Sequence, residues 1–319
     1  MSARKNSTLF VNDSEQEILA GLRLPQKSIS PKFFYDEAGS KLFDEICRQP
    51  EYYPTRTELG IMQRHIDDIV HLIGPHASII EFGSGSGLKT RLLLSKLIEP
   101  AAYIPVDISR EHLTKTTGAL SADFPDIEML PVCTDFTQPF TLPTPEIPPV
   151  KNVIFFPGST IGNFSTKEAT DLMRVMRSEA KDNGELLIGV DLEKPQDILE
   201  PAYNDAAGVT AKFNLNLLTR FNREFGAEFD PGAFEHEAIY DEKNKRIEMR
   251  LISLRRQTVS FAGAYIELDA GEYIVTEHSH KYSPERFADL ARQAGFQPCR
   301  AWNDQDNLFS VRYLVATGS

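Results

Sequence analysis

The chain has 319 residues, of which 41% are hydrophobic and 25% are charged, and its formal net charge is −12. This composition is ordinary for a globular protein of one large or two modest domains. The acidic balance argues against nucleic acid or an anionic membrane surface as the main partner. No stretch approaches the ~20 apolar residues of a membrane helix, and the N-terminus lacks the apolar run of a signal peptide. We therefore expect a cytoplasmic protein.

The N-terminal part of the chain is predicted to be helical, with one loop that interrupts it. A helical pattern runs from Pro31 to about Arg64. Because proline is not tolerated in a helix interior, the stretch "EYYPTRTE" around Pro54 predicts a loop, with a new helix beginning near Thr55 or Thr57.

Strands and helices alternate from residue 78 to about residue 197. Five apolar runs predict strands, namely "SIIEF", "AAYIPVDIS", "IEMLPVCTDF", "NVIFFPGST" and "GELLIGVDL". Between them, "RLLLSKLI" and "STKEATDLMRVMRSEA" predict helices, the second capped by Ser165 or Thr166 with Glu168 in its first turn. The alternation predicts a parallel sheet covered on both faces.

The alternation of strands and helices stops between residues 197 and 285. A mostly helical stretch is followed by "RIEMRLISLRRQTVSF" and "YIVTEHSHKYS", which are strand-like and have no crossover helix between them. They predict an antiparallel insertion. A capped helix in "SPERFADLARQAGF" and a final strand complete the chain.

A glycine loop, "EFGSGSGLKT", joins the first strand to the helix that follows it and places Gly83, Gly85 and Gly87 in the turn. Glycine allows a sharp turn and a close approach to a ligand. The spacing is neither that of a dinucleotide-binding fingerprint nor that of a phosphate-binding P-loop. A purely structural tight turn is the alternative.

Carboxylates follow the next two strands. Asp107, about 20 residues after the loop, is placed to accept the hydroxyls of a ribose, although a helix N-terminal carboxylate is the alternative. Asp135 is placed to accept from an adenine amino group, with Phe136 to pack on the ring. Together these features predict an adenosine ligand without a pyrophosphate, which S-adenosylmethionine fits. The candidate cofactor residues are Gly83, Ser84, Gly85, Lys89, Asp107, Asp135 and Phe136.

Over nearly its whole length the sequence resembles the S-adenosylmethionine-dependent histidine Nα-methyltransferases of ergothioneine biosynthesis. The likeness rests on "PKFFYDEAGSKLFDEICRQPEYYPTRTE", "IIEFGSGSGLKT", "FFPGSTIGNF", "KRIEMRL" and "TEHSHKYS". It implies an α/β fold with a class I (Rossmann-like) methyltransferase domain, residues 61–197 plus 286–319. It also implies a second, α+β substrate-binding domain, residues 1–60 plus 198–285.

The resemblance further implies the reaction and its residues. Three methyl groups would pass from S-adenosylmethionine to the α-amine of L-histidine, giving Nα,Nα,Nα-trimethylhistidine (hercynine). The positions that match the family are Tyr35, Gly158 and Thr160 near the amine, Asn163 and Tyr203 at the carboxylate, and Phe43, Tyr52, Met249, Glu277 and Ser279 around the side chain.

The stretch "TEHSHKYS" alternates along a strand, so Glu277 and Ser279 share one face while His278 and His280 share the other. A carboxylate and a hydroxyl on one face can pair with an imidazole, whereas a solvated Glu277 is the alternative. Two histidines could also ligate zinc, but no third ligand is indicated by spacing, so no metal is expected.

Other interpretations remain open at this point. The nearest is an N-methyltransferase for another amino acid, such as tryptophan or a derivative, and a protein that binds S-adenosylmethionine without catalysis is a second. A nucleic-acid methyltransferase is disfavoured by the net charge of −12. The three scattered cysteines, Cys47, Cys133 and Cys299, are expected to be buried free thiols in a reducing compartment, and a monomer is expected.

Overall fold

The computed structural model describes residues 14–83 and 87–318. The helices are α1 (14–22), α2 (Glu37–Ile46), α3 (Tyr53–Ile73), α4 (Leu88–Leu94), α5 (Arg110–Asp123), α6 (Thr166–Ala180), α7 (Gln196–Leu199), α8 (Val209–Phe225) and α9 (Pro284–Gln293). The strands are β1 (Ala77–Phe82), β2 (Ala102–Asp107), β3 (Val132–Cys133), β4 (Lys151–Phe156), β5 (Glu185–Asp191), β6 (Phe234–Asp241), β7 (Arg246–Ser253), β8 (Gln257–Phe261), β9 (Ala264–Leu268), β10 (Tyr273–His280), β11 (Phe296–Asn303) and β12 (Phe309–Ala316).

The chain divides into two compact units. The first unit contains the described residues up to Tyr53 together with Pro195–Ser279, and the second contains Pro54–Lys194 and His280 onwards. The sequence analysis predicted that the chain passes from one domain to the other at residues 60/61, 197/198 and 285/286. In the structure each of these three boundaries lies a few residues earlier. Assigning a separate role to each unit stays a prediction.

The second unit is built on a seven-stranded sheet of order β11-β12-β5-β4-β1-β2-β3. Strands β1 to β5 pair in parallel, and β12 runs antiparallel to both β5 and β11. One hydrophobic cluster includes Ile80, Phe156 and Leu186, and another includes Ile79, Phe155 and Leu187. Because successive side chains point to opposite faces of a strand, the two clusters cover the two faces of the sheet. The predicted covered parallel sheet is confirmed.

Local signals in this unit explain where its helices begin. The Ser165 hydroxyl accepts from the Glu168 N–H while the Glu168 carboxylate accepts from the Ser165 N–H, so the predicted cap of α6 is a full capping box. Ser283 caps α9 through one hydrogen bond, in which its hydroxyl accepts from the Arg286 N–H. The prediction for α3 was wrong at its start, because the helix begins at Tyr53 and Pro54 occupies its first turn, where no N–H is needed.

The first unit is α+β. Strands β6 and β7 form an antiparallel hairpin that lies beside β10 in a three-stranded sheet, and β8 and β9 form a separate hairpin. Helix α8 buries Phe213, Leu217 and Phe221, and the Phe213 ring stacks on Phe34 with centroids 4.5 Å apart. The predicted antiparallel insertion is confirmed, and β6 and β9 are additional strands.

The described residues also test the predictions for the third strand, the cysteines and membrane-spanning helices. The third strand of the sheet is much shorter than expected, since β3 consists of Val132 and Cys133 and the preceding Met129 forms an isolated parallel bridge with Tyr103. Cys299 is exposed and the other two cysteines are half-buried, so the cysteines are free thiols but not buried ones. Among the described helices, none has the length and apolar character that a membrane crossing requires.

Candidate active site

The glycine loop lies at the carboxyl end of β1, in the second unit. Gly83 has φ +80° and donates its N–H to the Val106 carbonyl, 2.8 Å away, while Gly87 has φ +74° and precedes the first residue of α4. Both positive φ values are readily adopted by glycine. The predicted cofactor residues Ser84 and Gly85 lie outside the described residues.

The carboxylates predicted for the ribose and adenine lie at the ends of β2 and β3. An Asp107 carboxylate oxygen accepts from the Ser109 N–H at 2.8 Å, and an Asp135 oxygen accepts from the Thr137 N–H at 2.9 Å. The N-cap of α5 is Ser109, so Asp107 lies just before the helix, and its role as a helix N-terminal carboxylate or as a ribose ligand stays a prediction. Phe136 packs against Phe82 with ring centroids 5.4 Å apart.

These side chains fit an adenosine ligand. Both Asp107 and Asp135 are half-buried, and a carboxylate can accept from several donors, including a ligand hydroxyl or amino group. A Cβ at Gly83 would lie 3.8 Å from the Phe136 ring, so the loop backbone and this aromatic ring are close neighbours. The candidate cofactor residue Lys89 is the second residue of α4, which follows the glycine loop.

A buried carboxylate that the sequence did not single out lies in β1, the strand that precedes the glycine loop. Glu81, the penultimate residue of β1, accepts from the Thr90 hydroxyl at 2.8 and 2.9 Å and from the Tyr103 hydroxyl. Its burial raises the pKa of the carboxyl to about 7, against the lowering effect of these hydrogen bonds and of Lys89. The only signal in the sequence was a glutamate within the apolar run "SIIEF".

Glu81 predicts a pH-dependent stability. Its pKa is raised on folding, so its stabilising contribution is present below pH 4.5 and is lost as the pH rises through about 7. Between pH 5.5 and 8.5 we expect urea unfolding to show a loss from this group of about 2 kcal/mol. Glu81→Gln, which mimics the protonated form, should show a smaller decline over the same range. Parallel curves for the two proteins would contradict the assignment.

The stretch "FFPGSTIGNF" forms a tight loop after β4. Gly158 has φ +84° and Ser159 has φ +57°, and Thr160–Asn163 then form one 3-10 turn, with the Thr160 hydroxyl donating to the Pro157 carbonyl at 3.0 Å. A Cβ at Gly162 would lie 2.8 Å from the His280 carbonyl oxygen, so glycine is required for this close approach. The loop therefore presents Gly158, Thr160 and Asn163 together.

A buried charged cluster supports that loop. The Asp191 carboxylate, 1% exposed, accepts from Lys281 at 2.7 Å and from Lys194 at 2.5 Å, and these lysine side chains are 0% and 3% exposed. The Asp191 backbone N–H donates to the Ser159 hydroxyl at 2.9 Å. Burial lowers the pKa of Lys194 to about 8, against the effect of Asp191. The sequence analysis missed this cluster because its members are up to 90 residues apart.

Aromatic side chains assemble in the first unit. Phe43 on α2 lies 5.7 Å from Tyr35, 6.2 Å from Tyr52 and 6.1 Å from Phe213, measured between ring centroids. Tyr52 is also 6.1 Å from Tyr203. The predicted residues Tyr35, Phe43, Tyr52 and Tyr203 thus form one aromatic group. Burial raises the pKa of Tyr52 well above its usual range, with smaller contributions from Tyr203, Cys47, Glu277 and Tyr35.

Strand β10 brings the predicted polar pair to this group. Ser279 is buried and its hydroxyl lies 2.8 Å from the Tyr203 hydroxyl, while Glu277 is half-buried. The backbone carbonyl of Met249, on the adjacent strand β7, accepts from the Thr276 hydroxyl at 3.2 Å. Seven of the predicted substrate-side residues therefore belong to the first unit, namely Tyr35, Phe43, Tyr52, Tyr203, Met249, Glu277 and Ser279.

The two histidines of β10 were considered as metal ligands. A ring nitrogen of His278 lies 3.2 Å from a Glu248 carboxylate oxygen. His278 and Arg250 together lower the pKa of Glu248 to about 2, against the effect of burial. Within residues 14–83 and 87–318, no group of three histidine, cysteine, aspartate or glutamate side chains could hold a metal ion.

Comparison with known proteins identifies the family. The family model described as histidine-specific, S-adenosylmethionine-dependent methyltransferase matches residues 14–316. The chain belongs to this family. Its members use S-adenosylmethionine, which the candidate cofactor residues at the ends of β1, β2 and β3 fit, and the sheet is that of a class I methyltransferase.

Relatives of the methyltransferase cover almost its whole length. It is 38% identical over 306 residues to the histidine N-alpha-methyltransferase of Mycolicibacterium smegmatis, with 94% of each chain covered. The protein of the same name from Mycobacterium tuberculosis is 36% identical, with 93% of this chain and 92% of that one covered. The L-tryptophan methyltransferase of Psilocybe serbica is 27% identical, with 94% and 92% covered.

Proposed function

We propose that this methyltransferase transfers three methyl groups to the α-amine of L-histidine, giving Nα,Nα,Nα-trimethylhistidine, a step of ergothioneine biosynthesis. The observation that carries the choice of substrate is the pair Glu277 and Ser279 on one face of β10, with Ser279 bonded to Tyr203. A carboxylate and a hydroxyl together satisfy both ring nitrogens of an imidazole. Membership of the histidine-specific family supports the same choice.

The two units have separate roles in this proposal. The first unit holds the imidazole through Glu277 and Ser279, with the apolar wall formed by Phe43, Tyr52 and Met249. The second unit holds the cofactor through Gly83, Ser84, Gly85, Lys89, Asp107, Asp135 and Phe136. Asn163 is assigned to the substrate carboxylate, and Tyr203 is assigned to assist it. These assignments follow the match to the family position by position.

The amine must be neutral to react, because an ammonium has no lone pair. S-adenosylmethionine supplies the methyl group: the amine lone pair forms the N–C bond as the C–S bond breaks, and the electrons of that bond stay on sulfur. The amine gives up one proton to water before each transfer. Tyr35 and Thr160 orient the lone pair, and Gly158 leaves room for the methyl groups already added. Catalysis then depends mainly on positioning.

A competition assay tests the substrate. The purified protein is incubated with S-adenosylmethionine and an equimolar mixture of the common amino acids, and methylated products are identified by mass spectrometry. We expect mono-, di- and trimethylated histidine alone. Methylation of tryptophan or another amino acid would keep the reaction class and remove the roles given to Glu277 and Ser279. No methylation with cofactor still bound would favour a binding protein or a modified substrate.

The proposal also covers the location, the type of partner and the oligomeric state of the protein. A cytoplasmic location is supported by the free thiols of Cys47, Cys133 and Cys299, which a reducing compartment maintains. A net charge of −12 supports a small-molecule substrate rather than nucleic acid. The proposed active species is a monomer, because one copy carries every residue assigned to cofactor and substrate.

A further inference from the structure

Glu58 is a buried carboxylate in the second unit that has no assigned role. It lies in the first turns of α3, within the stretch "EYYPTRTE", and only 1% of it is exposed. Both carboxylate oxygens lie within hydrogen-bond distance of the Gly158 backbone N–H, at 3.0 and 2.9 Å. One of them also forms an ion pair with the Lys89 ammonium, whose side chain is 14% exposed. A buried carboxylate requires such partners to remain charged.

The chain makes room for this carboxylate. A Cβ at Gly189 would lie 2.0 Å from one Glu58 oxygen and 3.1 Å from the Phe309 ring. Gly189 is in the interior of β5, where glycine weakens a strand unless another group approaches the backbone closely. The glycine is therefore explained by the close approach of Glu58.

Glu58 joins two segments that are distant in sequence. Lys89 is 31 residues away and is the second residue of α4, which follows the glycine loop. Gly158 is 100 residues away and begins the loop that presents Thr160 and Asn163. The carboxylate thus contacts a candidate cofactor residue and the backbone beside the candidate amine residues at the same time.

We propose that Glu58 is a positioning residue for methyl transfer, which holds Lys89 for the cofactor and the Gly158 backbone for the substrate amine. This inference rests on the proposed roles of those two residues. The two contacts differ in what they need from Glu58. Lys89 needs the negative charge, whereas the Gly158 N–H needs only an acceptor oxygen. Variants that separate charge from acceptor therefore separate the two effects.

Glu58→Gln keeps an acceptor for Gly158 and removes the charge that balances Lys89. We expect its dissociation constant for S-adenosylmethionine, measured by calorimetry, to rise about 10- to 100-fold, with kcat at saturating cofactor changed less than about threefold. Glu58→Ala removes the acceptor as well, so kcat should fall about tenfold further. A purely structural role would lower the thermal midpoint of both variants without this split between cofactor affinity and kcat.

Glu185→Gln is the matched control. Glu185 also forms an ion pair with a lysine, Lys151, at 2.5 Å, and both residues are half-buried and belong to the second unit. They are the first residues of β5 and β4, at the end of the parallel strands opposite to the cofactor residues. We expect this variant to be less stable but to bind S-adenosylmethionine within about twofold of the original protein. Equal losses of cofactor affinity in Glu58→Gln and Glu185→Gln would overturn the inference.

Cofactor affinity within twofold of the original protein in Glu58→Gln would also overturn it. Gly189→Ala is a second variant that leaves the Glu58 charge in place but displaces the carboxylate, and it should weaken cofactor binding in the same direction. Calorimetry of the cofactor needs no turnover, so the result stands even if histidine is not the substrate. In that case kcat is measured with the amino acid that the competition assay identifies.

Discussion

Replacing Glu277 by alanine is expected to lower kcat/KM for histidine by about 30- to 1000-fold, or 2–4 kcal/mol. The side chain lies on β10, two residues from the buried Ser279 and on the same face, and it is near enough to Tyr52 to help raise the pKa of that phenol. Without the carboxylate, one imidazole nitrogen would lose its partner on transfer from water. Steady-state kinetics with histidine at saturating S-adenosylmethionine measures the effect.

The same change should relax specificity. A pocket built to pair an imidazole rejects apolar amino acids because its polar groups would be left unpaired, and Glu277→Ala removes one of those groups. Glu267→Ala is the control, because Glu267 is an exposed strand glutamate of the same unit, on β9. It should leave the histidine kinetics unchanged. Near-normal histidine kinetics in Glu277→Ala would show that this carboxylate does not hold the substrate.

Asp191→Asn is expected to destabilise the protein by about 3–5 kcal/mol, because it leaves two buried ammonium groups without a counter-charge. The side chain keeps its shape, so the backbone N–H of residue 191 can still donate to Ser159. Urea unfolding followed by circular dichroism measures the change. The loss should be smaller at pH 9 than at pH 6.5, since Lys194, whose pKa is about 8, can then lose its proton.

Asp171→Asn is the matched control for this prediction. Asp171 also accepts from two cations, Lys167 at 2.7 Å and Arg174 at 2.8 Å, but it lies on the exposed face of α6. Exposed pairs contribute about 0–1 kcal/mol, so this variant should differ little from the original protein. Equal losses in the two variants would mean that burial of the Asp191 cluster does not set its contribution.

The periodic parts of the sequence predicted the fold well. Strands β1, β2, β4 and β5 are nearly continuous apolar runs because both faces of the sheet are covered, and such runs are recognisable without tertiary information. The length of strand β3 was overestimated, because "IEMLPVCTDF" is mostly half-buried and its pairing is limited to Val132, Cys133 and an isolated bridge at Met129. Strands β6 and β11 were not predicted, because their exposed positions carry charged and polar side chains.

The residues of the candidate site also differ in how far the sequence could predict them. Asp107 and Asp135 could be placed from the sequence because strand ends define one edge of a parallel sheet. Tyr35, Asn163 and Glu277 were assigned only through resemblance to a family. Glu58 and Asp191 were missed because a charged residue in a helix or strand gives no sign of burial until its partner is known. The partners Lys89, Gly158 and Lys281 lie 31 to 100 residues away in the chain, although Lys194 is close to Asp191 in sequence.

The order of strands in the large sheet has a consequence for synthesis of the chain. Strand β5 is complete at Asp191, but its second neighbour, β12, begins only at Phe309. While the intervening residues emerge from the ribosome, β5 presents an unpaired edge of apolar backbone, which is a template for pairing with other chains. The last strands to be translated thus close the sheet, and nascent chains that stop before residue 309 keep an aggregation-prone edge open.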